Sequence, residues 1–184
     1  RMSIKSVSLH SFHADIEWLF ELVAEHVATI GWAMSTHKLE MPRIPKRLGE
    51  HVLPYALAAN LRMLYDFAKG NREISHDFVK DTCDALAKVL FSSAADAAQK
   101  KRAELDWGIL QERPLGITVR AALARVKLQE NRAVNRDELW ALTGLSESRA
   151  ERMKLKSHPT EDGQLEYDAA SVLAVLNRSG KDDV

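Results

Sequence analysis

Between Ser11 and Ser35 the apolar residues Ile16, Leu19, Phe20, Val23, Val27 and Ile30 recur at helical spacing. They form one broad stripe, which predicts a helix capped by Ser11 or Asp15. Pro42 and Pro45 break the period, so residues 36–49 read as a loop. The pattern resumes over Glu50–Lys69, at Val52, Leu53, Leu57, Leu61, Leu64, Tyr65 and Ala68. Pro54 fits the first turn of that second helix and Gly70-Asn71 closes it. A third helix opens at Ser75, with Phe78, Val79, Cys83, Leu86, Ala87, Leu90 and Phe91 on one side. Residues 92–107 are Ala-rich and polar, and suit either a solvated helix or a connector.

Gly108, Pro114 and Gly116 then punctuate the chain and mark a boundary near 105–116. A helix is predicted over Ile117–Gln129, and two short helices over Asn135–Thr143 and Ser146–Lys156. Pro159–Gly163 reads as a turn and Leu165–Tyr167 as a short strand or wing edge. Asp168 caps a last helix ending at Asn177. The expected fold is all-α in two parts. An N-terminal helical bundle (1–104) is followed by a linker (105–112). A C-terminal helix-turn-helix domain (113–178), with room for a small wing, precedes a disordered tail (179–184).

Composition agrees. Hydrophobic residues make up 46% of the 184, enough for a sizeable core, and 8 Gly with 5 Pro favour helix. Cys83 is the one cysteine, so no intramolecular disulfide forms. Its place on an apolar stripe reads as a small buried hydrophobe, not a nucleophile. No run is long and apolar enough for a membrane span, and the first residues lack the apolar core of a signal peptide. Arg1 before Met2 reads as a tag remnant. A cytoplasmic setting is expected.

No nucleotide-binding, nucleophile-elbow or zinc-protease motif occurs. Of the seven histidines, His10 and His13 are three apart but lack neighbouring ligands at metal spacing, and His26, His37, His51 and His76 are scattered. The pairs Asp15/Glu17 and Asp81/Asp84 fit solvated faces better than acid–base chemistry. No catalytic residue, metal or cofactor is therefore expected, and the chain does not read as an enzyme.

The segment Asn135–Met153, NRDELWALTGLSESRAERM, is the most specific. Asn135 and Glu138 have capping-box spacing. Gly144 supplies the positive φ of a sharp turn, Leu145 plugs it, and Ser146 caps the next helix. Ala150 and Met153 are placed to pack that helix against the first. This resembles the helix-turn-helix families, whose L-A-x-x-x-G-[VIL]-S pattern is similar to LWALTGLS here. The segment GQLEYDAASVLAVL, with Tyr167, Asp168, Val172 and Leu176, is similar to the end of MerR-like and excisionase-like winged modules. The likeness spans residues 117–177. Two positions depart from it. Those families carry a small residue where Trp140 stands, so its ring must widen the crossing or turn aside. The wing also holds Glu161, Asp162, Glu166 and Asp168 where basic residues are usual.

The formal net charge is zero, so affinity for nucleic acid would rest on local charge. Residues 113–158 carry ten Lys/Arg and five Asp/Glu, whereas residues 159–184 carry two and six. The resemblance implies double-stranded DNA as partner, with Arg149 and Arg152 at base edges and Ser146 and Ser148 near bases or phosphates. Arg132, Arg136, Lys154 and Lys156 would then meet phosphates. Trp18, Phe20 and Trp32 do not share one line, so some of this bulk is expected to serve a homodimer contact. The rival reading is a helical protein–protein adaptor that binds no DNA.

Overall fold

The computed structural model describes residues 2–34, 56–91, 110 and 112–179. The predicted loop 36–49, Pro54 with the start of the second helix, the segment 92–107, most of the linker and residues 180–184 lie outside the described residues. So do the side chains of Val23, Val27, Ile30, Trp32, Leu90 and Phe91. The described chain is mostly helical, with a small sheet. In order it contains α1 (Leu9–Met34), α2 (Ala56–Lys69), α3 (His76–Phe91) and α4 (Pro114–Gln129). Then come β1 (Val134–Asn135), α5 (Arg136–Thr143), α6 (Glu147–Arg152), β2 (Ser157–Pro159), β3 (Leu165–Tyr167) and α7 (Ala169–Ser179). None of these helices is long and apolar enough to cross a membrane.

α1 begins two residues earlier than its apolar stripe implies. Ser8 is the cap: its Oγ accepts from the Ser11 amide at 3.0 Å. Asp15 neither caps α1 nor lies on a solvated face, for it is 6% exposed. Its Oδ2 accepts from the Leu115 amide at 2.8 Å and its Oδ1 from Arg113 Nη1 at 3.2 Å. The carboxylate thus meets a free amide at the positive end of α4. The Arg113 guanidinium also covers the Trp18 ring, 3.8 Å from its centroid. Trp18 and Phe20 are half-buried against the core of their own chain.

α2 ends as expected. Gly70, at φ 84°, lets its amide donate to Phe67 O and the Asn71 amide to Asp66 O. α3 is capped by Ser75, whose Oγ accepts from the Phe78 amide at 3.2 Å. Cys83 is buried, and that burial, aided by Asp84, pushes its thiol up to about 12. A thiol so placed is a packing group.

α4 starts at Pro114 and includes Gly116, two residues that read as linker punctuation in the sequence. Proline at the first helical position loses no hydrogen bond. Gly116 is buried because Leu110 crosses there: a Cβ would lie 1.8 Å from the Leu110 carbonyl oxygen. Leu115, Ile117, Val119, Ala121, Ala122, Ala124 and Leu128 are buried around α4. The helix packs against α1, α2 and α3 on one side and α5 and α7 on the other. A single hydrophobic cluster runs from Ile4 through these helices to Val172.

The sheet is antiparallel with order β1-β3-β2. Val134 pairs with Tyr167, and Asn135 with Glu166. On the other edge, Ser157, His158 and Pro159 pair with Tyr167, Glu166 and Leu165. β1 was not legible as a strand, since two residues carry no alternation. It fastens the β2–β3 hairpin to the start of α5.

Gly116→Ala tests the close approach at α4. The added methyl must displace backbone, so the variant should lose about 2 kcal/mol or more of stability in urea denaturation. A change below ~0.5 kcal/mol would contradict this packing.

Candidate nucleic-acid interface

Asn135 and Glu138 form the capping box their spacing predicts. Asn135 Oδ1 accepts from the Glu138 amide at 2.9 Å, and Glu138 Oε2 accepts from the Asn135 amide at 2.9 Å. The second carboxylate oxygen of Glu138 lies 2.6 Å from Lys127 Nζ. One buried glutamate therefore starts α5 and ties it to α4. Gly144, at φ 72°, ends α5. Leu145 is buried below the turn, and its amide donates to Thr143 Oγ1 at 3.1 Å.

α6 is shorter than the sequence suggested. Ser146 occupies the cap position, but its Oγ faces Ser148 Oγ at 3.2 Å and not a backbone amide. Ala150 is buried, as expected. Met153, expected to pack against α5, is 44% exposed. The cause is the helix end. Lys154 turns left-handed at φ 55°, its amide donates to Glu151 O, and the Leu155 amide donates to Ala150 O at 3.1 Å. This Schellman turn sends Leu155 into the core and leaves Met153 outside.

Trp140 does turn aside. Its Nε1 donates to Met2 O at 3.1 Å, and the Ile4 amide donates to Ala141 O at 2.7 Å. The first residues of the chain thus lie across α5, with Ile4 and Val7 buried.

The structure sorts nine of the ten basic residues of 113–158 into two sets, the tenth, Arg120, being half-buried on α4. Arg113 is held by Asp15, Lys127 by Glu138, Arg132 by Glu130 and Arg136 by Glu147. Arg125 donates to Ala68 O from a largely buried position. Arg149, Arg152, Lys154 and Lys156 are exposed and make no ion pair among the described residues. They occupy one short stretch, α6 and the turn after it. Ser148 is exposed and Ser146 half-buried at the start of the same helix. Arg136 reaches this unit through Glu147 at 3.2 Å. Arg132 does not: Glu130 holds it at the α3–α4 corner, where His76 Nδ1 also lies 3.3 Å from Glu130.

The wing acids divide similarly. Glu166 lies 3.7 Å from His158 Nε2, and Asp168 Oδ2 accepts from the Ser171 amide at the start of α7. Glu161 and Asp162 are exposed in the hairpin turn. At the wing root, the Tyr167 hydroxyl is buried without a hydrogen-bond partner among the described residues. Burial, then the charges of Glu147 and Glu151, raise its pKa, while Arg136 opposes them. Among the described residues, no group of three or more His, Cys, Asp and Glu is placed to hold a metal ion.

No protein-family model, curated protein or solved structure matches the chain.

Lys154 is informative because its backbone favours glycine. Lys154→Gly should relieve the left-handed strain and raise stability by roughly 0.5 kcal/mol in thermal or urea melts, after glycine's extra unfolded-state entropy is counted. A clear loss of stability would contradict the geometry at the end of α6.

Proposed function

We infer that the chain is a DNA-binding regulatory or accessory protein, with α5 and α6 acting as a helix-turn-helix and the β2–β3 hairpin as its wing. The observation that carries this reading is the clustering, within residues 149–156 on and just after α6, of four exposed cations that have no ion pair among the described residues. A helix bearing arginines on its outer face suits the major groove, where each arginine has two donors for a guanine edge. Lys154 and Lys156, past the helix end, suit phosphates.

Two objections drawn from the sequence lose weight. Trp140 is accommodated, with its Nε1 bonded to the Met2 carbonyl and the residue lining the groove beside the first turn of α6. Two of the four wing acids have partners of their own, which leaves Glu161 and Asp162 at the hairpin tip. The resemblance to MerR-like and excisionase-like modules supports the same assignment. A homodimer joined through the N-terminal helices would present two such faces to symmetric half-sites.

The test is fluorescence anisotropy with a random-sequence duplex of about 20 base pairs. On random sequence all four cations neutralise backbone phosphates, which predicts roughly a hundredfold loss of affinity between about 50 and 200 mM salt. Arg149→Glu with Arg152→Glu should weaken binding at least about tenfold at the lower salt. Equal binding by the double variant would refute the site. A wild-type chain that fails to retain DNA at low salt would refute the function and favour the protein-adaptor reading.

A further inference from the structure

Arg136 and Glu147 form an ion pair that the capping arrangement of the two helices does not require. Arg136 is the first residue of α5 and Glu147 the first of α6, and the Nη1–Oε2 distance is 3.2 Å. The glutamate is well placed, since an anion is favoured at a helix N-terminus. The arginine is not: a cation at the positive end of α5 gains nothing from its own helix. Both side chains are largely open to water, 61% and 40% exposed. Such pairs are weakly held and exchange partners readily.

Their position matters. One groove beside the pair is lined by Trp140, Ser146, Ser148 and Glu151, and leads onto α6. The groove on the other side is lined by Asn135, Gly163, Gln164 and Leu165, and leads to the wing turn. The pair therefore divides the first turn of α6 from the wing. A duplex lying on α6 and the wing would bring a phosphate to this divide.

We propose that Glu147 is a built-in competitor for phosphate that keeps Arg136 off the DNA backbone, so that Arg136 becomes a fifth phosphate contact only when Glu147 releases it. The proposal rests on the DNA-binding reading above. The exchange is between anions: the guanidinium leaves a carboxylate for a phosphate, and no proton moves. The same competition sets a ceiling on affinity for duplexes in general. It favours those whose backbone runs close enough to the α6–wing divide to displace the carboxylate.

A double-variant cycle tests this on the full chain, with the same random-sequence duplex and a salt series. Glu147→Gln should tighten binding roughly threefold to tenfold near 100 mM salt and steepen the log–log salt slope by about one. In an Arg136→Gln background that gain should vanish. Glu151→Gln, which removes the same charge from α6 without freeing an arginine, is the control. Its effect should be the same in both backgrounds. Circular dichroism confirms that each variant is folded. The proposal is overturned if Glu147→Gln weakens binding or leaves it unchanged, or if its gain persists without Arg136, which would reduce it to bulk charge. If wild type binds DNA and the cycle shows no coupling, only this proposal fails. If neither wild type nor Glu147→Gln binds at low salt, the DNA reading fails with it.

Discussion

α4 is enclosed on both sides, and the rest of the chain is arranged around that burial. Its buried residues spread well beyond one narrow stripe, the mark of a helix packed on two sides, and the face with Leu123 stays open. Most are small. Gly116, Ala121, Ala122 and Ala124 let Leu110 and the flanking helices come close, so the fold tolerates little added volume there. Asp15 holds the N-terminus of α4 from α1, and Arg125 reaches from its middle to the end of α2. These two charged contacts fix where α4 sits on the N-terminal helices.

From α4 the arrangement passes to the proposed interface through one carboxylate. Glu138 closes the capping box of α5 with one oxygen and meets Lys127 of α4 with the other. Gly144 then sets the turn into α6, while β1 ties the wing hairpin to Asn135. α6 is only six residues long and has little helical stability of its own. Its orientation depends on buried Leu145, Ala150 and Leu155, which leave Arg149, Arg152, Lys154 and Lys156 to face water. Among the described residues Arg113 and Lys127 are tied to the buried carboxylates of Asp15 and Glu138, while Arg149, Arg152, Lys154 and Lys156 have no ion pair. This concentrates positive potential on α6 and the turn after it in a chain with no net charge.

Local signals in the sequence were reliable where the interaction is local. Asn135 and Glu138 lie three apart and bond each other; Gly144, Ser75 and Gly70 punctuate helices at the expected places. What the sequence hid depends on partners far along the chain. Asp15 reads as a surface carboxylate until Leu115 arrives, a hundred residues later. Gly116 reads as a linker residue until Leu110 folds over it. Met153 carries the helical spacing of a core residue, yet the left-handed turn at Lys154 gives its place to Leu155. The cationic face could be located by counting charge, but which cations were already neutralised was set by Glu130, Glu138 and Glu147 in three dimensions.

Backbone amide mapping tests the central claim most directly. A 15N-labelled chain titrated with a short random-sequence duplex should show shift changes concentrated between Ser146 and His158, and these should fade as salt is raised. Shift changes confined to α2 and α3, or none at low salt, would contradict it.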